Sequence, residues 1–221
     1  MNNPNASFFS PDKIIKDLQW ECLSSAVKYS KGELLDVGCG RMPYKSLFLH
    51  KVKTYTGIDK YSPIADIKKD FYTAKILKGS YDTVLCTQVL EHVPDPQTFL
   101  KKINSVLKKN GILILTVPFS GYLHEVPRDY YRYTKFALAY MMKKTNFKII
   151  YIKQEGNWLS SMGLELISYL EPTFNRFLLK YPKRFIQLLI LLFIKATLHW
   201  PERLAKSEYS TINYIVLAKK A

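Results

Sequence analysis

The segment Leu34-Leu35-Asp36-Val37-Gly38-Cys39-Gly40 constrains this chain more than any other. An apolar run of strand length stops at two glycines, and Tyr44 to His50 can start a helix directly afterwards. A strand that turns into a helix through glycine lets backbone approach a ligand closely, with amide groups aimed at an anionic moiety. That is a nucleotide-type α/β turn. The dinucleotide pattern G-x-G-x-x-G needs glycine at its sixth position, and here Pro43 stands there behind Arg41 and Met42, which argues against a NAD-dependent oxidoreductase or epimerase. Asp59 ends a second strand, Thr54 to Ile58, roughly twenty residues after the glycines, where a carboxylate can accept both hydroxyls of a ribose.

The rest of the chain repeats the alternation. Ser10-Pro11-Asp12 reads as N-cap, first-turn proline and acidic first turn of an opening helix over residues 10–30. Ala65 to Lys68 reads as a short third strand and Tyr81 to Cys86 as a fourth. Asp95-Pro96 caps a helix that runs to the stop signal Asn110-Gly111, and Ile112 to Val117 is an apolar strand buried on both faces. Thr134 to Lys144 reads as helix, Phe147 to Ile152 as strand, and Thr211 to Ala218 as a last, β-branched and aromatic strand. The expectation is one α/β domain over residues 1–221, its sheet mostly parallel and covered on both faces, with a helical insertion over 156–209 that is too long and apolar for a turn.

Six motifs together are similar to the class I S-adenosylmethionine-dependent methyltransferases, in particular the group known as type 11: LLDVGCG, YTGIDKYSP, ADIKKDF, YDTVLCTQVLEHVPDP, LKKNGILILTVPF and HEVPRDYYRYT. The likeness runs from about Leu34 to Phe147. It implies a Rossmann-like sheet with an antiparallel last strand and S-adenosylmethionine as cofactor. It further implies Gly38 and Gly40 under the cofactor's methionine part, Asp36 near its amino group and Asp59 on its ribose. Asp70 and Phe71 would flank the adenine, and Thr87 and Gln88 would line the methionine side. Two features depart from the pattern: Met42 replaces a third glycine, and only Lys60 to Pro63 remain of a helix between the second and third strands. Glu91-His92 sits just past the cofactor in this family; read as a buried histidine that orients a helix start, it stays outside the catalytic set.

Pro118 to Thr134 follows the fifth strand at the carboxyl edge of the sheet, where ligands of open α/β folds bind. It concentrates His124, Glu125, Arg128, Asp129 and Arg132 among four tyrosines, so this is where an acceptor is expected. His124 is the candidate base that removes the acceptor's proton, and Asp129 the group that orients it. The HEVPRDYYRYT pattern looks like family members tied to glycan or lipid-linked sugar pathways, which makes a small-molecule, saccharide or lipid-linked oxygen or nitrogen the expected acceptor. An Asn/Asp-Pro-Pro-aromatic tetrad is absent after the fourth strand and Leu85 rather than proline precedes Cys86, so nucleic acid is the less favoured acceptor. An RNA-directed enzyme and an inactive cofactor-binding partner protein are the alternatives.

The formal net charge of +15 implies an anionic surface or ligand. Lys180, Lys183, Arg184 and Lys195 flank the apolar run Leu188 to Ile194, a pattern that suits docking on an anionic membrane face or packing in a homodimer. That run is well short of the ~18 residues a spanning helix needs. Cys22, Cys39 and Cys86 lack zinc-site spacing, so no metal is expected, and with no secretory signal at the N-terminus a cytoplasmic protein, peripheral on the inner membrane face, is expected.

Overall fold

The computed structural model describes residues 13–158, 161–162, 165, 189 and 210–221. Six strands form one sheet: β1 Glu33–Val37, β2 Thr54–Ile58, β3 Tyr81–Thr87, β4 Leu107–Pro118, β5 Phe147–Glu155 and β6 Asn213–Lys220. Their order is β2-β1-β3-β4-β6-β5, with β2, β1, β3 and β4 parallel and β6 antiparallel to both β4 and β5. This is the mixed, Rossmann-like sheet expected from the sequence. The chain order reverses at β1, so the crevice beyond the carboxyl ends of β1 and β3 is the topological switch point where such folds bind ligands.

Both faces of the sheet are covered, which is why its central strands read as unbroken apolar runs. On one face Leu35, Val84, Leu113, Leu115 and Val216 pack with Leu100 and Ile103 of helix α3 (Pro96–Val106) and Leu138 and Met142 of helix α4 (Lys135–Lys144). On the other, Leu34, Leu85, Ile114 and Leu217 pack with Trp20 and Leu23 of helix α1 (Lys13–Ala26) and Leu47 and Phe48 of the short helix α2 (Lys45–Phe48). Side chains 112 to 117 alternate between these layers, as a period of two requires.

The caps follow the sequence. Asp95 accepts from the amide of Thr98 with Pro96 in the first turn of α3, and Thr134 accepts from the amide of Ala137 at α4. Two expectations are corrected. Helix α3 ends at Val106 and β4 starts at once, so Asn110-Gly111 is a strand irregularity and not a helix stop. The reason is tertiary: Lys220 Nζ donates to the carbonyls of Asn104 and Leu107 at 2.7 Å, satisfying the helix end, and Lys108 Nζ pairs with Asp82 at 2.6 Å. Residues 65–68 contribute one isolated bridge, Ile58 to Ile67, instead of a strand. Asp66 Oδ2 accepts the Gly57 amide at 2.7 Å, replacing a ladder bond with a side-chain one.

The cap expected at residues 10–12 lies outside the described residues. So does most of the 156–209 insertion, with Lys180, Lys183, Arg184 and Lys195. No helix among the described residues is long and apolar enough to cross a membrane.

Candidate functional site

A cavity of about 670 Å³ opens at the switch point, lined by Gly38, Gly40, Asp59, Asp70, Phe71 and Gln88 together with Val89, His92, Phe99 and Arg128. Its floor is the glycine turn. Gly38 and Gly40 hold φ of 70° and 50°, the left-handed region that only glycine adopts without strain. A Cβ on Gly38 would meet Val89 Cγ2 at 2.3 Å, whereas one on Gly40 would meet nothing within 4 Å and project into free space.

Asp59 fastens this turn to β2. Its Oδ2 accepts the Gly40 amide at 3.0 Å, and its Oδ1 accepts the amides of Tyr61 and Ser62 at 2.7 and 3.0 Å. Three of a carboxylate's roughly four acceptor positions are therefore taken. The sequence expectation that Asp59 accepts both ribose hydroxyls narrows to one direct bond from Oδ2.

Asp70 lies across the cavity, with Oδ2 2.8 Å from Lys60 Nζ and Oδ1 accepting the Tyr72 amide at 2.8 Å. Partial burial opposes ionisation, but Lys60 and that amide hold the carboxyl below the ordinary range. Phe71 packs edge-on against Phe99 at 5.2 Å. Gln88 adopts φ 53° at the end of β3, and its side chain donates to Thr116 Oγ1 at 3.2 Å. A non-glycine residue in that conformation at a cavity wall is the kind of constraint found at ligand sites.

Asp36 and Thr87 are not among the lining residues. Asp36 is only 2% exposed on the opposite face of the sheet from the cavity, where Tyr55 Oη donates to its Oδ2 at 2.6 Å. Burial pushes its carboxyl up to about 7.

The segment 118–134 is docked rather than free. Tyr133 Oη donates to the carbonyl of Leu90, Tyr131 Oη to that of Pro94 and the Tyr130 amide to that of Glu91, each at 2.9 Å. Arg128 lies over the Tyr61 ring, 4.9 Å from its centroid, and so roofs the cavity. Within the segment the Asp129 side chain is shielded from solvent, accepts from both terminal nitrogens of Arg132 at 2.7 and 2.8 Å, and accepts the His124 amide at 3.0 Å. The Arg132 guanidinium holds its carboxyl down to about 2.

His124 Nδ1 lies 3.4 Å from Asp129 Oδ2, so the structure brings both candidate catalytic residues together. Neither lines the cavity; His124 reaches it through His92, whose ring it meets edge-on at 4.9 Å. Among the lining residues, sequence reasoning set His92 aside and missed Tyr61, while Arg128 belongs to the segment where an acceptor was expected. Their only signal was position: each follows a strand at its carboxyl end.

The donor set and volume fit S-adenosylmethionine, since the open space at Gly40, the remaining acceptor position of Asp59 and the aromatic edge of Phe71 all face one cavity. Comparison with known proteins agrees. Residues 18–168 match the family described as a methyltransferase domain. The chain is 24% identical over 185 residues to the ubiquinone biosynthesis O-methyltransferase of Coxiella burnetii (strain Dugway 5J108-111), covering 75% of this chain and 76% of that one. It is 26% identical over 190 residues to the protein of the same name from Pseudomonas entomophila (strain L48), covering 76% and 80%. Among solved structures, the Burkholderia thailandensis 1,6-didemethyltoxoflavin-N1-methyltransferase with bound 1,6-didemethyltoxoflavin and S-adenosylhomocysteine superposes with a TM-score of 0.59 at 16% identity, over 92% of this chain and 77% of that one.

Proposed function

The chain belongs to this methyltransferase-domain family, as a class I S-adenosylmethionine-dependent enzyme, and we propose that it methylates a hydroxyl oxygen of a small-molecule or lipid-linked acceptor seated beside His92. One observation carries the reading: the glycine turn, Asp59, Asp70 and His92 all line a single cavity, and His92 touches the oriented His124. The Coxiella and Pseudomonas relatives, named as O-methyltransferases, support oxygen as the accepting atom.

Bound S-adenosylmethionine supplies a methyl group already activated by its positive sulfur. The protein is left to align the acceptor at ~3 to 3.5 Å, exclude water and handle one proton. Asp59 takes a ribose hydroxyl, Asp70 and Phe71 border the adenine, and Gly40 leaves backbone room for the methionine part. Arg128, stacked over Tyr61, borders the cavity at its solvent side. Val89, Val93 and Phe99 offer an apolar wall to a ring, and the His92–His124 pair receives the hydroxyl proton. Asp129, neutralised by Arg132, steadies His124 from behind.

The test is incubation of the purified chain with S-adenosylmethionine and a panel of phenols, catechols, amines and lipid-linked hydroxyl compounds, read by mass spectrometry. An O-methylated product formed with an equal amount of S-adenosylhomocysteine is the expected result. Methyl transfer to nitrogen alone, or tight S-adenosylhomocysteine binding without transfer, would overturn the reading.

A further inference from the structure

We propose that Glu91, His92 and His124 form a binding site for a divalent transition-metal ion at the acceptor end of the cavity. One ligand atom from each lies within 4.8 Å of the others, and His92 Nε2 is 3.9 Å from Glu91 Oε1. The three come from two separate segments, the turn after β3 and the segment after β4.

Glu91 supplies the strongest reason. Its side chain is completely buried, and neither carboxylate oxygen has a hydrogen-bond partner among the described residues. Burying an uncompensated carboxylate costs several kcal/mol on transfer scales, so native proteins protonate such a group, pair it or place a cation on it. The charges around it are Arg132, Asp129 and Glu125. Arg132 is committed to Asp129 through both terminal nitrogens, and Glu125 adds negative potential. Arg132 is therefore shared with Asp129, and the group facing the Glu91 carboxylate is the His92 ring, with no hydrogen bond between them.

Both imidazoles are already oriented as metal ligands. His92 Nδ1 lies 2.8 Å from the carbonyl of Arg128, which fixes the proton on Nδ1 and leaves the Nε2 lone pair on the side of Glu91. His124 Nδ1 faces Asp129 Oδ2 at 3.4 Å, the Tyr122 carbonyl at 3.3 Å and the Arg132 guanidinium at 3.5 Å, so its Nε2 is the nitrogen left for an ion. A carboxylate or carbonyl behind each ligating histidine is the usual outer-shell pattern, and it raises the ring's basicity. Asp129 is thus a positioning residue that acts through His124.

Two imidazoles and a carboxylate select an ion such as Zn²⁺, Co²⁺, Mn²⁺ or Fe²⁺ over Mg²⁺ or Ca²⁺, which take oxygen ligands. Bonds of ~2.0 to 2.2 Å put ligand atoms about 3.4 Å apart, so binding draws the His124 ring inward by about 1 Å. Three protein ligands leave positions open. His92 lines the cavity, so an acceptor hydroxyl can reach those positions; with both imidazoles committed to the ion, a hydroxyl oxygen bound there gives its proton to water, and the metal takes over the task that the bare His92–His124 pair performs without it. This last step rests on the proposed O-methyl transfer; the metal site does not.

The experiment uses the full, untagged chain, stripped with chelator and titrated with Zn²⁺ by calorimetry and with Co²⁺ by visible absorption, beside a titration with S-adenosylhomocysteine. One equivalent of each metal should bind, with Co²⁺ bands of a nitrogen- and oxygen-ligated site. Glu91→Gln, His92→Ala and His124→Ala should each weaken binding more than 10-fold, and Asp129→Asn about 10-fold. His50→Ala, an exposed histidine elsewhere, should change nothing. The half-exposed His124 serves as the decisive position if the buried Glu91 variant does not fold. Zn²⁺ binding that is absent, or unaltered in His92→Ala and His124→Ala, overturns the site. S-adenosylhomocysteine binding in that same protein would leave the methyltransferase reading standing, and its loss alongside intact metal binding would do the reverse.

Discussion

The Nδ1 atom of His92 and the carbonyl oxygen of Arg128 meet at 2.8 Å, joining the wall of the cavity to its roof. Around that contact the segment 118–134 is held to residues 90–94 by three further hydrogen bonds, the most buried being Tyr133 Oη to the Leu90 carbonyl. Tyr133→Phe should leave that carbonyl with the Val93 amide alone and lower stability by about 1 kcal/mol, a fall of roughly 2 to 4 °C in melting temperature for a chain of this size. Affinity for S-adenosylhomocysteine should not change, because neither Tyr133 nor Leu90 lines the cavity. A melting temperature equal to wild type would show that the segment is held by something else.

Where a property depended on local chemistry, the sequence showed it. Asp95-Pro96 and Thr134 cap their helices as expected, and Gly38, Gly40, Asp59, Asp70, Phe71 and Gln88 converge on one cavity. Where it depended on which segments meet in space, the sequence was silent. Asn110-Gly111 looks like a helix stop because the partner of the real helix end, Lys220, is more than a hundred residues away. Asp36 carries the family's motif position, yet the period of two in β1 turns it to the Tyr55 face. His92 reads as an ordinary buried histidine until the segment bearing His124 folds against it.

The two glycines of the turn should respond differently to alanine. Gly38→Ala drives a Cβ into Val89 at a left-handed φ, so it should destabilise the fold by more than about 2 kcal/mol, measured by urea denaturation. Gly40→Ala meets no protein atom and should cost about 1 kcal/mol from φ alone, yet it should weaken S-adenosylhomocysteine binding at least 10-fold by occupying the cavity. Equal stability losses with unchanged binding would remove the turn from the site.

Glu155 is fully buried, with only Asn213 donating to it, at 3.0 Å, and burial pushes its carboxyl from 4.5 up to about 7. The native state keeps a proton there that the unfolded chain loses above pH 4.5, so the associated stability is complete below 4.5 and declines as pH rises toward 7. Asp129, held near 2, works in the opposite direction: its contribution is present above the ordinary carboxylate range and is lost as pH falls toward 2. Melting temperature should therefore drop between pH 5 and pH 8 by an amount equivalent to about 2 to 3 kcal/mol from Glu155 alone, and Glu155→Gln should reduce the slope, leaving the part that buried Asp36 contributes over the same range. An unchanged slope in the variant would contradict the assignment.

His124→Ala should lower the maximal methylation rate by about 100-fold while leaving S-adenosylhomocysteine affinity at the wild-type value, since His124 contacts the acceptor end only through His92. Parallel losses of cofactor affinity and melting temperature would assign it a structural role instead.

The most direct measurement of the central claim is calorimetric titration of S-adenosylhomocysteine and of NAD into the wild-type chain and into Asp59→Ala. Asp59 Oδ2 bonds the Gly40 amide and offers its remaining acceptor position to a ribose hydroxyl, so it joins both halves of the cofactor site. The expected result is one S-adenosylhomocysteine bound per wild-type chain, no binding of NAD, and an affinity in the folded variant weaker by about 1.5 to 3 kcal/mol. Undiminished affinity in a folded Asp59→Ala protein, or a wild-type chain that takes NAD and not S-adenosylhomocysteine, would contradict it.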